Sequence, residues 1–298
     1  MELRLLRYFV AVAEEGSMTR AADRLGIQQP PLGQQIRLLE QQLGVQLFDR
    51  SPRRIELSDS GRFFLEEARA VLRRAEEATR QVQRFDRGES GELTVGLTSS
   101  ASLHQLAPAI LRRFHDAYPF AEVSVRESET YELIVALQDG SIDVALFHIP
   151  TDRFPDLASR VLAKVDLVVA APKGHPLARA GAPVTLEAML DEPLVVYRRR
   201  EGVGIFDSIF RVFAARGATP QIAGEVTRLI AAINLVAAGR GLSLVPATMQ
   251  TLHPESVVYL PLDPNPFPPL PLTLAYRRDV RVALVRNFLD LTADMPVA

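Results

Sequence analysis

The polar residues best suited to recognition in this sequence are amides on one face of a predicted helix near the amino terminus. The helix opens at Gln28 or Gln29. Pro30 and Pro31 are tolerated there because first-turn residues have no intrahelical partner for an N–H. Apolar residues at helical spacing define its core face: Leu32, Ile36, Leu39 and Leu43. The opposite face carries Gln29, Gln34, Gln35 and Arg37. Because Gln can bond bidentately to adenine in the major groove, this face is typical of contact with DNA bases.

Arginines surround this helix, although the whole chain has a formal net charge of −2. Between Thr19 and Arg54 the basic residues exceed the acidic residues by three. The basic residues are Arg20, Arg24, Arg37, Arg50, Arg53 and Arg54. Residues 50–57 predict a small hairpin whose tip carries Pro52, Arg53 and Arg54. Arginines at an exposed tip suit phosphates or a minor groove. A modest basic patch implies binding that depends on dimerisation and on specific contacts, with sensitivity to salt.

A second group of candidates carries hydroxyls at the starts of predicted helices: Thr98, Ser99, Ser100, Ser102, Thr130 and Thr227. Hydroxyls and backbone N–H groups at helix N-termini form an anion site, helped by the helix dipole. Plain helix capping is the alternative for each of them taken singly. His148 and Arg228 could add donors, although a histidine at such a place is more often a satisfied rim residue. Val203 and Ile205 are expected to supply part of the rim.

Three predicted helices position the amide face. The first, Leu3–Glu15, turns an apolar face towards the others and ends at Gly16; that face is Leu6, Phe9, Val10 and Ala13. Ser17 can cap the second helix, residues 19–25, which packs through Ala21, Ala22 and Leu25 and ends at Gly26. Gly44 stops the third helix, and Leu47 and Phe48 return the chain to the core. Two short helices joined by a tight turn indicate DNA binding.

A long helix with a sustained apolar stripe is predicted over residues 58–85. The stripe alternates in steps of four and three, a 3.5-residue repeat typical of paired helices: Phe64, Ala68, Val71, Ala75, Ala78, Val82 and Phe85. Flanking residues of both charge signs predict that the rest of the helix surface is exposed to solvent. The alternative is a helix packed on its own domain. The stripe continues well past any plausible core, which favours pairing of two chains.

Beyond residues 88–91 strands alternate with helices, which predicts a mainly parallel α/β sheet. The first set has strands at 92–97, 121–126 and 143–147, and helices at 103–118 and 131–139. A second set starts near Val161, with strands at 166–172, 193–197, 222–226, 239–247 and 257–262, and helices at 205–216 and 228–238. The proline-rich segment 263–271 predicts a crossing, after which strand 272–278 and helix 280–293 return to the first set. Each set of strands and helices is expected to form one lobe. The cleft between the two lobes is the default ligand site.

Several ordered motifs make the chain resemble the LysR-type transcriptional regulators: LRYFVAVAEEGS, AADRLGIQQPPLGQQIRLLEQQLGVQLFDR and LSDSG. The resemblance implies a two-lobed α/β effector domain of periplasmic-binding-protein architecture, preceded by an all-α winged helix-turn-helix domain and a long linker helix. The expected bounds are 1–58 for the DNA-binding domain, 59–90 for the linker and 91–298 for the effector domain. Lobe 1 would comprise about 91–160 and 267–298, and lobe 2 would comprise about 161–266.

The resemblance also implies partners and sites. Expected partners are double-stranded DNA with an inverted-repeat operator, a small carboxylate-bearing effector and further copies of the chain in a dimer of dimers, with RNA polymerase as a candidate. Expected DNA contacts are Thr19, Gln29, Pro30, Pro31, Gly33, Gln34, Gln35, Arg37, Arg50, Arg53 and Arg54. Family members usually carry a hydroxyl residue at the position of Gly33 and often a basic residue at that of Gln34. We therefore expect Gly33 to allow closer approach to DNA and Gln34 to read a base.

Composition excludes several function classes. The chain has no cysteine, which removes disulfides, thiol redox sensing and cysteine metal sites. Its five histidines never pair at i,i+4, so a structural metal is not expected. No cofactor is expected either. Without an apolar span or a signal peptide, we expect a cytosolic protein. A serine-based enzyme using Ser99 or Ser100 is an alternative that lacks the G-x-S-x-G motif. A solute-binding module without DNA binding is the other alternative, and the N-terminal motif argues against it.

Overall fold

The computed structural model describes residues 1–50, 55–197 and 205–293 of the chain. The chain forms two compact units, Met1–Arg84 and Phe85–Ala298. Across the described residues, the model contains no helix of the length and apolarity that a membrane span requires.

Three helices and a small antiparallel hairpin form the N-terminal unit: α1 Leu3–Glu15, α2 Met18–Leu25, α3 Gln29–Leu43, β1 Phe48–Arg50 and β2 Ile55–Leu57. Glycines end the three helices because Gly16, Gly26 and Gly44 take positive φ of 58°, 68° and 72°. The Ser17 hydroxyl accepts a hydrogen bond from the Arg20 N–H at 3.4 Å, and α2 begins one residue earlier than predicted. The predicted helix-turn-helix is confirmed.

The core face of α1 differs in part from the predicted one. Leu6 and Phe9 are buried as expected, but Val10 and Ala13 are half-buried and their places are taken by Leu5, Ala11 and Val12. Rings of Phe48 and Phe64 lie 5.4 and 5.1 Å from the fully buried ring of Phe9. This aromatic group joins α1, the hairpin and the next helix into one core.

Helix α4, Asp59–Asp86, follows the hairpin. Ser58 begins it by accepting a hydrogen bond from the Gly61 N–H at 2.9 Å and donating one to the Gln46 carbonyl at 2.7 Å. Gly61 is required by close packing, since a Cβ there would collide with the Leu47 carbonyl oxygen. The long helix is confirmed, and its first turns belong to the core of the N-terminal unit.

One part of the C-terminal unit, which we call lobe 1, is built around a five-stranded sheet. Its elements are β3 Ser90–Leu97, α5 Ser99–Ser102, α6 Leu106–Ala117, β4 Phe120–Glu127, α7 Thr130–Asp139, β5 Val144–Phe147, β6 Leu157–Val165, β12 Leu270–Arg277 and α11 Ala283–Ala293. The strand order in the sheet is β4-β3-β5-β12-β6. Strands β4, β3 and β5 are parallel, while β12 runs antiparallel to both β5 and β6. The carboxyl ends of the three parallel strands therefore lie at one edge.

Lobe 2 is smaller and its strands run mostly antiparallel. Its elements are β7 Leu167–Pro172, α8 Pro176–Ala180, β8 Pro193–Tyr197, α9 Ile205–Ala214, β9 Gln221–Val226, α10 Leu229–Ala237, β10 Ser243–Pro246 and β11 Val257–Pro261. Strands β10 and β11 flank β7 in antiparallel register, and β8 pairs with β9 in parallel. A bridge between Leu194 and Leu242 connects the two small sheets. The expectation of a mainly parallel sheet is wrong for this lobe.

One further expectation needs correction. The helix predicted over 103–118 begins at Leu106, because the chain first forms the short α5 and then a turn in which His104 Nδ1 accepts from the Leu106 N–H at 3.1 Å. The chain crosses between the lobes close to the approximate boundaries expected near residues 160 and 267. Strand β6 continues to Val165 beside β12, and Phe267 is buried in the core of lobe 2 rather than returning to lobe 1.

Candidate nucleic-acid interface and ligand cleft

The amide face of α3 is open to solvent. Gln29, Gln34 and Arg37 are exposed, and the side chains of Leu32, Ile36 and Leu39 fill the core on the opposite side. Gln35 and Gly33 are half-buried, while Pro30 and Pro31 are exposed in the first turn. The helix therefore presents two amides and one guanidinium along a surface that the N-terminal unit does not cover.

A hydrogen bond connects the two helices of the motif at this surface. The Thr19 hydroxyl, near the start of α2, donates to Gln29 Oε1 at 3.4 Å. This contact places the Gln29 amide beside the start of α2. Gly33 lies one turn further along, and a Cβ there would meet no atom of the chain within 4 Å. Packing within the unit therefore does not require glycine at this position.

Part of the predicted basic patch is neutralised by acids that precede it in the sequence. Arg24 contacts Glu14 at 2.9 Å and Glu15 at 3.3 Å, and Arg20 Nε lies 3.6 Å from Glu15. Both arginines were counted in the local excess, but Glu14 and Glu15 lie outside residues 19–54. Among the described residues of the predicted patch, Arg37 carries positive charge on the exposed face of α3. The side chain of Arg50, and Arg53 and Arg54 entirely, lie outside the described residues.

Glu14 joins three helices of the N-terminal unit. Its carboxylate lies 2.9 Å from Arg69 of α4 and 2.9 Å from Arg24 of α2. Hydrogen bonds from Arg69 and then from Arg24 lower the pKa of the Glu14 carboxyl below its usual value. The ion pairs thus fix α1 and α2 against the long helix.

Glu40 is a positioning residue that sequence reasoning missed. Its Oε1 atom accepts hydrogen bonds from the backbone N–H groups of Leu47 at 2.9 Å and Phe48 at 3.3 Å. Glu40 therefore attaches the last part of α3 to the first strand of the hairpin. In the sequence, Glu40 lies seven residues before Leu47 and resembles an ordinary solvent-exposed acid. Its hydrogen bonds to the hairpin therefore could not be predicted from the sequence pattern.

The apolar stripe of α4 divides into two parts. Ala68 is buried in the core of the N-terminal unit, and Phe64 packs against the same core, so these two residues are not available for pairing as expected. Further along, Val71, Val82 and Phe85 are 42%, 69% and 67% exposed. Ala75 is half-buried and Ala78 is exposed. The exposed stripe therefore begins at Val71.

Lobe 1 brings the predicted hydroxyls to the carboxyl ends of β3 and β4. The Thr98 hydroxyl caps α5 by accepting from the Ala101 N–H at 3.4 Å, and the Ser102 hydroxyl donates to the Ser99 carbonyl at 2.8 Å. Ser99 donates to the Glu127 carboxylate at 2.5 Å, so its hydroxyl is bonded to an acid rather than to a histidine base. Ser100 and Thr130 are buried. The capping alternative holds for Thr98, and Ser102 serves its own helix.

Carboxylates occupy part of the site that was expected to bind an anion. Glu129 is the N-cap of α7, where its side chain accepts from the Glu132 N–H and the Glu132 side chain accepts from the Glu129 N–H. The Tyr197 hydroxyl from lobe 2 donates to Glu129 Oε2 at 3.1 Å. The sequence analysis did not predict Glu127, Glu129 or Tyr197 as part of this site. Acidic residues beside a predicted anion site carry no sequence signal of a role there.

Lobe 2 contributes a helix N-terminus that no side chain caps. Helix α10 has Arg228 at its N-cap without a side-chain cap, no acid lies in its first turn, and Thr227 and Arg228 are exposed. Short helix α5 of lobe 1 contacts α10, so α10 lies beside lobe 1. His148 is buried, and its Nδ1 lies 3.2 Å from the Pro271 carbonyl. Val203 and the side chain of Ile205 lie outside the described residues.

Family models match almost the whole chain. One described as the bacterial regulatory helix-turn-helix protein, lysR family, matches residues 3–62, and one described as the LysR substrate binding domain matches residues 86–295. The chain belongs to the LysR family of transcriptional regulators. It is therefore a DNA-binding regulator with an effector-binding domain, and this family is one of regulators rather than enzymes.

Relatives within the LysR family resemble the chain over most of its length. The uncharacterized HTH-type transcriptional regulator YnfL of Escherichia coli (strain K12) is 38% identical over 88% of this chain and 88% of its own. The crystal structure of CbnR, a LysR family transcriptional regulator, is 31% identical with a TM-score of 0.86, over 98% of this chain and 100% of that chain. Full-length CbnR complexed with its target DNA gives 30% identity and a TM-score of 0.83, over 98% and 99% of the two chains.

Proposed function

We propose that this LysR-family regulator reads an inverted-repeat operator with two copies of α3, and that a small organic acid in the cleft between lobes alters how the two half-sites are engaged. The exposed amide face of α3 carries the first part: Gln29 and Gln34 are open to solvent, while the core face of the same helix is filled. Amides specify bases and arginines hold the backbone, so Arg37, Arg50, Arg53 and Arg54 are assigned to phosphates or a minor groove.

Pairing of two chains is assigned to the exposed part of α4. Val71, Ala78, Val82 and Phe85 recur at the spacing of paired helices and are exposed. A two-fold dimer reads half-sites about one helical turn, or a multiple, apart. We extend the proposal to a dimer of dimers, with a second interface between effector domains and RNA polymerase as a candidate partner at the promoter.

A carboxylate of the effector is assigned to the start of α10. Backbone N–H groups of the first turn, the helix dipole and the guanidinium of Arg228 favour negative charge there. Ser99, Ser100, Thr130 and Thr227 supply hydroxyls for the remainder of the ligand. Glu129 already caps α7, so the carboxylate is not placed on that helix. Coupling between the two sites would act through the arrangement of domains.

Operator binding is tested with one amide variant and one matched control on the same helix. After footprinting has located an operator, Gln29→Ala should weaken binding to it by about 5- to 150-fold, which corresponds to one bidentate base contact. Binding to a random duplex should not change. Gln42→Ala removes an exposed amide at the far end of α3 and should alter neither affinity.

Arg53→Ala provides the contrasting arm of the experiment. Loss of a phosphate contact should weaken binding to every duplex and make log K less dependent on log salt by about 0.9 per contact. An equal loss for Gln29→Ala on operator and random DNA would contradict base reading. A loss for Arg53→Ala that is confined to one base substitution would contradict the phosphate assignment.

A further inference from the structure

A hydrogen bond between side chains joins the two lobes across the cleft. Tyr197, the last residue of β8 in lobe 2, donates its hydroxyl to Glu129 Oε2 of lobe 1 at 3.1 Å. The two residues are 68 positions apart in the sequence. A carboxylate acceptor makes this bond stronger than one between neutral groups. A second bond, from the Thr248 hydroxyl to the Ser100 carbonyl, is 3.3 Å long and has a neutral acceptor.

Each partner is fixed within its own lobe. The Glu129 carboxylate is held at the N-terminus of α7 by the reciprocal bonds with Glu132. The Tyr197 ring is buried in the lobe 2 cluster that contains Leu229 and Ile233. Neither side chain can follow the other if the lobes move apart, because each would lose its local contacts. The bond therefore exists at one lobe separation and breaks when that separation increases.

We propose that the Tyr197–Glu129 hydrogen bond is a latch that holds the lobes at this separation when no effector is bound. A ligand that needs more space between the lobes binds the open state, in which the Tyr197–Glu129 bond is broken. It can shift the equilibrium between closed and open states only by the difference between its affinities for them, and the free energy of the bond reduces that shift. A ligand that fits the closed cleft binds without breaking it. The second half of this statement rests on the proposed effector role of the cleft, whereas the latch itself does not.

The test measures the distance between lobes in the full-length protein without ligand. The chain has no cysteine, so two introduced cysteines can carry the only spin labels. We choose Gln138→Cys on α7 and Thr251→Cys in lobe 2, which are both exposed. Labelled chains are diluted with an excess of unlabelled chains, so that double electron–electron resonance reports distances within one chain.

Tyr197→Phe removes the donor and keeps the buried ring. Its distance distribution should broaden towards longer values, with the open population relative to the closed one rising about tenfold or more for loss of a hydrogen bond to a charged group. Glu129→Gln keeps an uncharged acceptor and should give an intermediate distribution. Tyr259→Phe is the matched control, because that hydroxyl donates to the Leu252 carbonyl at 2.7 Å within lobe 2. Its distribution should match that of the parent protein.

Two results would overturn the latch. One is a Tyr197→Phe distribution that superimposes on the parent distribution. The other is equal broadening in Tyr197→Phe and Tyr259→Phe, which would indicate general loosening of lobe 2. Thermal unfolding of both variants separates such loosening from a change in lobe separation. Because no ligand is present, failure of the effector proposal leaves this result unaffected.

Discussion

Gly33 lies in the first half of α3, where a residue with a side chain would stabilise the helix. Glycine in a helix interior costs about 0.5–1 kcal/mol relative to alanine. A Cβ at Gly33 would meet no atom of the chain within 4 Å, so nothing inside the N-terminal unit explains that cost. We propose that the glycine lets DNA approach the backbone of α3 closely at this position, and the prediction below tests this.

Gly33→Ser should therefore separate stability from recognition. Serine has the better helix propensity, and we expect the N-terminal unit to gain about 0.5 kcal/mol. Operator affinity should fall, because the new side chain would occupy space next to the bases. Thermal unfolding and operator titration measure the two effects, and Leu38→Ala on the exposed part of α3 gives a control for general disturbance of the helix. Unchanged or improved affinity would show that close approach is not the reason for glycine.

Glu14 is a residue whose charge contributes to stability. Hydrogen bonds from Arg69 and Arg24 lower its folded-state pKa, so the carboxylate stabilises the fold fully above the unfolded-state pKa and loses this contribution as pH falls through the folded-state pKa. Glu14→Gln should cost about 0.5–1 kcal/mol at neutral pH. Below about pH 4, near the ordinary glutamate pKa, the difference should shrink.

Calorimetry of the two proteins between neutral and acidic pH measures this difference. The thermal midpoints should converge as the solution becomes acidic. Glu67→Gln is a suitable control, because Glu67 is exposed on α4 and the same charge is removed without loss of the Glu14 contacts. A gap between parent and Glu14→Gln that stays constant down to acidic pH would contradict the assignment of stability to the ionised group.

At the scale of elements, the apolar stripe of α4 has a buried part and an exposed part. Phe64 and Ala68 belong to the core of the N-terminal unit, whereas Val82 is 69% exposed. Burying a valine side chain contributes about 1.5–3 kcal/mol, so Val82→Asp should raise the dimer dissociation constant by at least tenfold. Gln83→Asp places the same charge on an exposed neighbouring position off the stripe and should leave the mass unchanged. Sedimentation of both variants decides whether this stripe pairs chains.

Elements whose ends carry local signals could be predicted from the sequence. The bounds of α1 and α3 match and that of α2 differs by one residue, because Gly16, Gly26 and Gly44 stop helices by their own backbone preference. Strand β6 was missed, since its residues 157–165 mix arginine and lysine with apolar residues at a lobe crossing. Its place beside β12 depends on pairing more than 100 residues away, which no local pattern reports.

The proposed ligand site between the lobes shows the same limit of sequence-based prediction. Ser99, Ser100 and Thr130 were placed correctly at strand and helix ends, because those positions follow from the alternation of strands and helices. Tyr197 and Glu129 were not found, because their contact depends on how the two lobes meet. Such contacts decide the chemistry of a cleft more than the residues that each element contributes alone.

At the scale of the whole molecule, regulation requires that ligand and DNA affect each other's binding. If a cleft ligand changes operator affinity by some factor, the operator must change ligand affinity by the same factor, because coupling free energy is reciprocal. Typical couplings of about 1–3 kcal/mol correspond to 5- to 150-fold. We therefore expect a small organic acid that weakens operator binding to bind more weakly itself, by the same factor, when operator DNA is present. An acid that strengthens operator binding should bind more tightly by the same factor.

A thermal-shift screen of small acids and their amides against the full-length protein identifies the ligand. Only ligands that bind the folded state raise the midpoint. Arg228→Gln should abolish the preference for acids over amides, because it removes the guanidinium beside the open start of α10. Arg240→Gln is the matched control, since that arginine is exposed after the end of the same helix and should leave the preference intact. Equal stabilisation of the parent protein by neutral amides would refute a carboxylate site. Ligand titrations that give the same affinity with and without operator, alongside a changed footprint, would instead show that the two sites are not linked through one equilibrium.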